Sequence, residues 1–461
     1  MKERSTGNTV LVVEGGGRGA ALVDKYAQSN HVGKVIAVPG NDLMKLNTDK
    51  PVQIYPQLKT TSVKEIVYLC KQKDVDLVDV AEDRAVEAGL VDALIRKGIS
   101  VVGPTRGAGR IEWDKAFARK LGFHLQLPQP GFDIYTRDEL NFALTRMDLE
   151  SNKPRFIKAA FLAGGKGAKA AKDRGEAKEK IIEVTKMKAG KVFLIEDWLE
   201  GDAGSQGEEF SLFVISDGEH YRVLGNAQDY KRENNFDEGE NTGSMGCSSP
   251  TLLATPGLMK ESKEIIGKVL AELKERGMPY EGVLYFGGMA INKIKGSDNF
   301  GYIYEQKPYV IEFNARWGDP EAQAILPGLK GDLFELGKAV SSGDISKVKI
   351  GHDKRVRVAV TGASKGYPRE EEYRWAKGRQ IFGLEEIKKM DGVKLYSGAI
   401  KEINGKYYAW GGRLFYIVAE GKDIVEARRM AYRAMSKISV EGNNLHYRKD
   451  IGWRDVERLN K

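Results

Sequence analysis

Pro308-Tyr309-Val310-Ile311-Glu312-Phe313-Asn314-Ala315-Arg316-Trp317-Gly318-Asp319-Pro320-Glu321 opens as an apolar, β-branched run and closes on a polar turn. Read as a strand, its alternation puts Glu312, Asn314 and Arg316 on one face. Glu and Asn offer hard oxygen ligands suited to Mg2+ bridging nucleotide phosphates. Arg316, next in the row, could meet a transferring phosphoryl group, whose charge is spread over its oxygens. A Glu–Arg pair that merely decorated an edge strand would leave the Asn between them unexplained, because Asn is a weak strand former. The stretch therefore predicts metal ligands at Glu312 and Asn314 and a catalytic cation at Arg316.

Upstream lie pieces that could complete a nucleotide site. Lys158 ends the apolar run Arg155-Phe156-Ile157 and precedes Ala163-Gly164-Gly165-Lys166-Gly167. A strand lysine followed by a glycine-rich hairpin with a second lysine suits a clamp on polyphosphate. Val192-Phe193-Leu194-Ile195-Glu196-Asp197-Trp198-Leu199 is a strand running into acids and apolar residues. Such a segment can give backbone groups to an adenine edge and apolar walls to its faces. Taken singly, each piece also reads as a surface hairpin or an edge strand; their order and spacing favour the site.

Residues 8–104 read as repeating βα units. Strands are expected over 9–13, 34–38, 75–80 and 100–102, and helices to about 29, over 62–73 and over 86–97. Such repeats predict a parallel sheet covered on both faces. Gly15-Gly16-Gly17-Arg18-Gly19, between the first strand and its helix, could offer free backbone N–H groups to an anion, helped by Arg18. It is a poor dinucleotide fingerprint, since no ribose-binding acid follows the second strand. A helix is expected around 113–121, strand-rich structure with glycine turns over 191–330, a last α/β segment over 331–420, and a helix over 423–438.

At 461 residues the chain exceeds one compact core, and several lobes are expected. No apolar stretch approaches the roughly 20 residues of a membrane span. Residues 1–6 carry no signal region, so a cytoplasmic protein is expected, with no further domain after 461. Cys70 and Cys247 are too few for a disulfide scaffold or thiolate cluster. The net charge of +8 is spread along the chain with acids interleaved and no nucleic-acid signature, which favours a phosphorylated substrate over nucleic acid.

Further segments carry a resemblance to the phosphoribosylamine–glycine ligase (glycinamide ribonucleotide synthetase) family of the ATP-grasp superfamily. They are Gly16-Gly17-Arg18, Gly103-Pro104 with Ile111-Glu112 and Lys115-Ala116-Phe117, and Asn226-Ala227-Gln228-Asp229-Tyr230-Lys231-Arg232. Asn241-Thr242-Gly243-Ser244-Met245-Gly246, Gly282-Val283-Leu284-Tyr285 and the stretch around Glu312 continue the series. Gly366-Tyr367-Pro368, Gly411-Gly412-Arg413 and Tyr447-Arg448-Lys449-Asp450-Ile451-Gly452 complete it, so that nearly the whole chain is covered. The chain departs from the family pattern at Arg18-Gly19-Ala20-Ala21, where Arg-Glu-His-Ala is usual, and at Val80-Ala81-Glu82-Asp83-Arg84.

The resemblance implies an α/β and α+β multidomain fold: an N-terminal parallel α/β domain (1–104), a split ATP-grasp core (105–330) with a lid at about 126–194, and a small C-terminal α/β domain (331–461). It implies ligation of glycine to 5-phosphoribosylamine with ATP and Mg2+ (or Mn2+), through glycyl phosphate, in purine biosynthesis, by a monomer or weak homodimer. By position, Lys115, Lys158 and Lys166 would face ATP phosphates, Glu196, Asp197, Trp198 and Leu199 the adenine, and Glu209 the ribose. Asp229, Lys231, Asn241, Thr242, Gly243 and Asp319 would lie near the acceptor substrates, and Gly17, Arg18, Asn41 and Glu82 at the ribosyl phosphate. The alternatives are an ATP-grasp ligase with another amine acceptor, or an ATP-binding pseudoenzyme.

Overall fold

The computed structural model describes residues 7–298 and 301–460, so residues 1–6, read above for a signal region, lie outside it. Its first sheet has five parallel strands in the order Val52–Ile54, Val32–Pro39, Asn8–Glu14, Leu77–Val80, Val101–Val102. Val10 to Val13 of the central strand are apolar without interruption because both of its faces are covered. Val10 and Val12 join a core with Leu22, Val23 and Tyr26 of the helix Gly17–Ala27, whereas Leu11 and Val13 join Ile66 and Leu69 of the helix Val63–Gln72.

Local chemistry shifts several expected elements. The helix expected over 86–97 is two, Asp83–Glu87 and Leu90–Ile95, because Gly89 between them takes a left-handed conformation with φ 79°. The helix expected over 113–121 is also two, Arg106–Trp113 and Lys115–His124. Asp114 ends the first and caps the second, its carboxylate accepting the Phe117 N–H. The short strand Val52–Ile54 has no apolar run to announce it.

A second sheet runs antiparallel in the order Gly301–Asn314, Glu281–Asp298, Glu208–Asp217, Tyr221–Asp229, Gly246–Ser249, Val356–Ser364, Arg413–Gly421, Val393–Ser397, with Leu445–His446 beside Val356–Ser364. One face is covered by the helix Pro256–Glu275, whose Ile266, Val269 and Leu273 pack on Leu212, Leu284 and Phe286. On the other, Phe213, Leu224 and Tyr285 share a core with the helices Gly17–Ala27 and Leu333–Ser342, which joins this sheet to the parallel one.

The four-stranded sheet Phe132–Thr136, Val192–Asp197, Arg155–Ala159, Ala168–Ala171 has its own core with the helices Leu140–Leu149 and Arg174–Lys186. The helix expected over 423–438 spans Ile424–Met435, capped by Asp423 through the Glu426 N–H. No described helix is long and apolar enough to cross a membrane.

Candidate active site

The strand Gly301–Asn314 places Glu312 opposite Gly287 of its neighbour. A Cβ on Gly287 would come within 3.0 Å of Glu312 Cγ, so glycine there leaves the carboxylate its room. Asn314 Nδ2 donates to Glu312 Oε1 at 3.3 Å, and Arg316 donates to Asn314 Oδ1 at 3.1 Å. The row expected from alternation is thus continuous, although Arg316 lies past the strand's last residue. Arg316 also pairs with buried Glu112 at 3.2 Å. Burial works to raise the Glu312 carboxyl, but Lys231, Lys115 and Lys158 overcome it and hold it at about 2. Three lysines from separate segments converge on one ionised carboxylate.

Lys158 and Glu196 are diagonal neighbours on paired strands, Lys158 standing opposite Leu194 and Glu196 opposite Phe156, with Nζ 2.7 Å from the carboxylate. Glu196 also takes a bidentate pair from Arg119, at 2.7 and 3.0 Å. Against burial, Lys158 and Arg119 hold Glu196 at about 2, while burial lowers Lys158. The Glu196 side chain is therefore spent on two cations, and its backbone lies in a strand paired on both sides, opposite Phe132 and Phe156. Asp197 pairs with Arg155 at 2.8 Å, and Trp198 stacks on Phe156 with ring centroids 4.8 Å apart. Leu199 is half-buried. Lys166 is exposed on the hairpin between Arg155–Ala159 and Ala168–Ala171, and is not among the lysines gathered at Glu312.

A pocket beside this strand is lined by Glu209, Asp229, Lys231, Tyr285 and Glu312. Lys231 pairs with Glu209 at 2.6 Å, and despite burial Glu209, Glu312 and Asp229 raise its pKa. Asp229 accepts the Ser244 hydroxyl; burial and then neighbouring Glu321 push its carboxyl up to about 8. Thr242 closes the turn by donating its N–H and hydroxyl to the Lys231 carbonyl, both at 2.8 Å. Gly243 N–H donates to the Tyr367 hydroxyl at 2.8 Å, and the Gly243 carbonyl accepts from Arg413. Asn241 is exposed and pairs across a short hairpin with Arg232.

The N-terminal glycine loop differs from its expected form. Its N–H groups are not all free: Gly15 and Gly16 both donate to Glu14 Oε1 at 2.8 Å, and Arg18 pairs with the other oxygen of Glu14. Arg18 also donates to the Trp317 carbonyl at 3.0 Å, tying the loop to the turn that follows the strand Gly301–Asn314. Asn41 donates to the Gly15 carbonyl at 2.9 Å. Glu82 caps the helix Asp83–Glu87 through the Ala85 N–H, and burial followed by Asp83 pushes its carboxyl up to about 7. Asp319 accepts from Gln323 at 2.6 Å and pairs with Arg413 at 3.2 Å. Gly17 lies against Tyr416 and Gln323, since a Cβ there would fall 2.1 and 2.5 Å from them.

Sequence reading did not single out Glu14, Arg119 or Glu321 as site residues. Arg119 left one signal: it follows Lys115 by four residues, which puts both on one face of their helix. Glu14 left none, because its contacts depend on the conformation of the turn after it.

The family description "Phosphoribosylglycinamide synthetase, N domain" matches residues 8–112, its "ATP-grasp (A) domain" residues 113–322 and its "C domain" residues 357–454. A phosphoribosylamine–glycine ligase of Caldanaerobacter subterraneus subsp. tengcongensis is 36% identical over 450 residues, covering 96% of this chain and 99% of that one. The crystal structure of the phosphoribosylamine–glycine ligase of Thermotoga maritima superposes with TM-score 0.75 at 25% identity, covering 96% of this chain and all of the other. The biotin carboxylase domain of Hydrogenobacter thermophilus 2-oxoglutarate carboxylase, solved with MgADP, shares the fold at TM-score 0.67 and 14% identity, covering 96% of this chain and 92% of that one. With all three family domains matched in order along the chain, this protein belongs to the phosphoribosylglycinamide synthetase family.

Proposed function

We propose that the chain joins glycine to 5-phosphoribosylamine at the expense of ATP, giving glycinamide ribonucleotide, ADP and phosphate. The observation that carries the reading is the convergence of Lys115, Lys158 and Lys231 on Glu312. A carboxylate is a poor acylating agent until one oxygen carries a leaving group. Transfer of the ATP γ-phosphoryl group to a glycine carboxylate oxygen gives glycyl phosphate and ADP. The acceptor amine then attacks the acyl carbon, the C–O bond to phosphate breaks, and the amine gives up a proton. The protein's part is positioning and charge neutralisation, which needs no nucleophilic side chain.

Lys115 and Lys158 would hold nucleotide phosphates, with Lys166 closing from its hairpin. The segment Glu196 to Leu199 would line the adenine and Glu209 the ribose. Arg316, placed beyond Asn314 in the same row, would face the transferring group. Asp229 and Lys231 border the pocket on the side of the acceptors, with Asn241, Thr242 and Gly243 on the adjoining turn. Gly17, Arg18, Asn41, Glu82 and Asp319 would form the ribosyl-phosphate end. We also propose the division 1–104, 105–330 with a lid at about 126–194, and 331–461; the separate core of the four-stranded sheet supports the lid.

The donor set fits Mg2+. Glu312 is ionised at any physiological pH, and Asn314 adds a neutral oxygen. Among the described residues no group of three or more His, Cys, Asp or Glu forms a closed protein cage. Two protein oxygens with phosphate and water supplying the rest is the arrangement Mg2+ favours. Bound there, the ion would neutralise charge on the nucleotide phosphates.

The test is ADP release with ATP, Mg2+, glycine and freshly generated phosphoribosylamine. Dependence on all four supports the reading, and turnover indifferent to phosphoribosylamine refutes it.

A further inference from the structure

We propose that Arg119 is a positioning residue for the nucleotide, locking the adenine-side strand to the metal strand through Glu196. The proposal rests on the nucleotide site described above.

The two strands that would flank ATP belong to different sheets. Val192–Asp197 lies in the four-stranded sheet and Gly301–Asn314 in the large antiparallel one, and no strand pairing joins these sheets among the described residues. The guanidinium of Arg119 spans the gap. Its Nε and one terminal nitrogen grip both oxygens of Glu196, and its remaining donors reach the carbonyls of Val310 at 3.0 Å and Ile311 at 2.7 Å. Those carbonyls immediately precede Glu312. Arg119 is 4% exposed, so the contacts are made out of water, where a planar fork holds its partners in a fixed geometry.

Glu196 also makes the arrangement bear on Lys158. A carboxylate has about four acceptor positions. Here Arg119 fills one on each oxygen, and Lys158 takes another at 2.7 Å. While Arg119 occupies Glu196 on both oxygens, Lys158 keeps donors for a second anion. With Arg119 gone, Glu196 would be a buried carboxylate with Lys158 as its one cation and would draw the ammonium fully to itself. Lys158 and Glu312 would also lose their fixed spacing. The helix Lys115–His124 thus serves the site twice, with Lys115 toward Glu312 and Arg119 between the sheets.

The test is equilibrium binding of ADP with Mg2+, followed by titration calorimetry on the full chain. Arg119→Met is expected to weaken ADP at least about tenfold and Arg119→Lys by less, while KM for glycine stays within about twofold. In a Glu196→Gln background, Arg119→Met should add less than about twofold if it acts through Glu196. ADP binding within twofold of the parent, or an equal loss in both backgrounds, overturns the proposal. Should Arg119→Met not fold, Arg119→Lys is judged alone: weaker ADP with unchanged glycine KM supports, and unchanged ADP overturns. Lys158→Met separates the two levels. If it too leaves ADP binding unchanged, the nucleotide site is misplaced; if it weakens ADP while the Arg119 variants do not, only the role of Arg119 falls.

Discussion

The side chain of Glu14 occupies the space that a side chain at position 19 would need: a Cβ on Gly19 would lie 2.7 Å from Glu14 Cγ and 3.0 Å from its Cβ. The carboxylate that takes the N–H groups of Gly15 and Gly16 can reach them only because residue 19 has no side chain. Gly19→Ala should destabilise the protein by about 1–3 kcal/mol through overpacking. In a Glu14→Ala background the same change should cost less, because the Cγ contact is gone and Ala is the better helix former by about 1 kcal/mol, while Met44 Cε at 2.9 Å and the Cβ of residue 14 stay close. Urea denaturation of the four-member cycle measures this. Equal costs in both backgrounds would show that the two positions are independent.

Glu312→Gln removes the charge on which Lys115, Lys158 and Lys231 converge. Loss of one charge-stabilising group from a phosphoryl-transfer site costs on the order of 10²–10³-fold in rate. Turnover should fall by that much while the far-ultraviolet spectrum is unchanged, and chelation of Mg2+ should abolish wild-type turnover. Retained activity in the variant would remove Glu312 from the metal site.

Asp79, on the strand Leu77–Val80, supplies a pH test. It accepts the Tyr26 hydroxyl at 2.8 Å, its other oxygen has no partner, and burial pushes its carboxyl from 3.8 up to about 7. Below 3.8 both folded and unfolded chains hold the proton; between 3.8 and about 7 only the folded chain does. Stability from this group is therefore lost as pH rises through that window and stays lost above it. Asp79→Asn, which cannot ionise, should shrink the fall in Tm between pH 5 and pH 8. Glu196 and Glu312, held at about 2, lose their contributions only at lower pH and do not blur the comparison. An unchanged pH slope would mean that Asp79 is ionised in the folded protein.

Much of the fold was legible because its signals are local. The uninterrupted Val10 to Val13 run announced a strand buried on both faces, and the period-two row Glu312, Asn314, Arg316 announced side chains that meet. The misses have physical causes. One left-handed glycine, Gly89, splits a helix whose apolar pattern runs straight through it. Asp114 ends one helix and caps the next, and a cap inside a periodic stretch is invisible to periodicity. Arg119 and Glu196 are 77 positions apart and meet only after two sheets have folded. The donors of Gly15 and Gly16 looked free because composition shows what a loop can donate, not which neighbour accepts first.

The helix Trp453–Leu459 reaches back to the strands Glu208–Asp217 and Tyr221–Asp229. Arg454 and Arg458 both pair with Glu208, and Arg458 also donates to Gln228 at 3.1 Å. Glu208 and Gln228 adjoin Glu209 and Asp229, so the tail braces two strands that face the pocket. Arg458→Met should cost about 1–3 kcal/mol, the range for hydrogen bonds to charged groups. Thermal denaturation gives the stability, and KM values should move for substrates at this pocket. A variant as stable as the parent would make the brace decorative.

Gly17 is where three parts of the chain close on the end proposed for the ribosyl phosphate. Its Cα faces Tyr416 of the strand Arg413–Gly421 and Gln323 of the helix Glu321–Ile325. Tyr416 is held within the sheet and 1% exposed, so its ring has no free space into which to retreat. A methyl at position 17 must instead push the loop away, carrying Arg18 from the Trp317 carbonyl. Gly17→Ala is therefore expected to cost about 1–3 kcal/mol or more. It should also raise KM for phosphoribosylamine while KM for ATP, proposed to bind among Lys115, Lys158 and Glu312, stays within about twofold. Steady-state kinetics with each substrate varied in turn decides it. A rise confined to ATP would place the acceptor elsewhere, and an equal rise for every substrate would show that the loop acts through global stability.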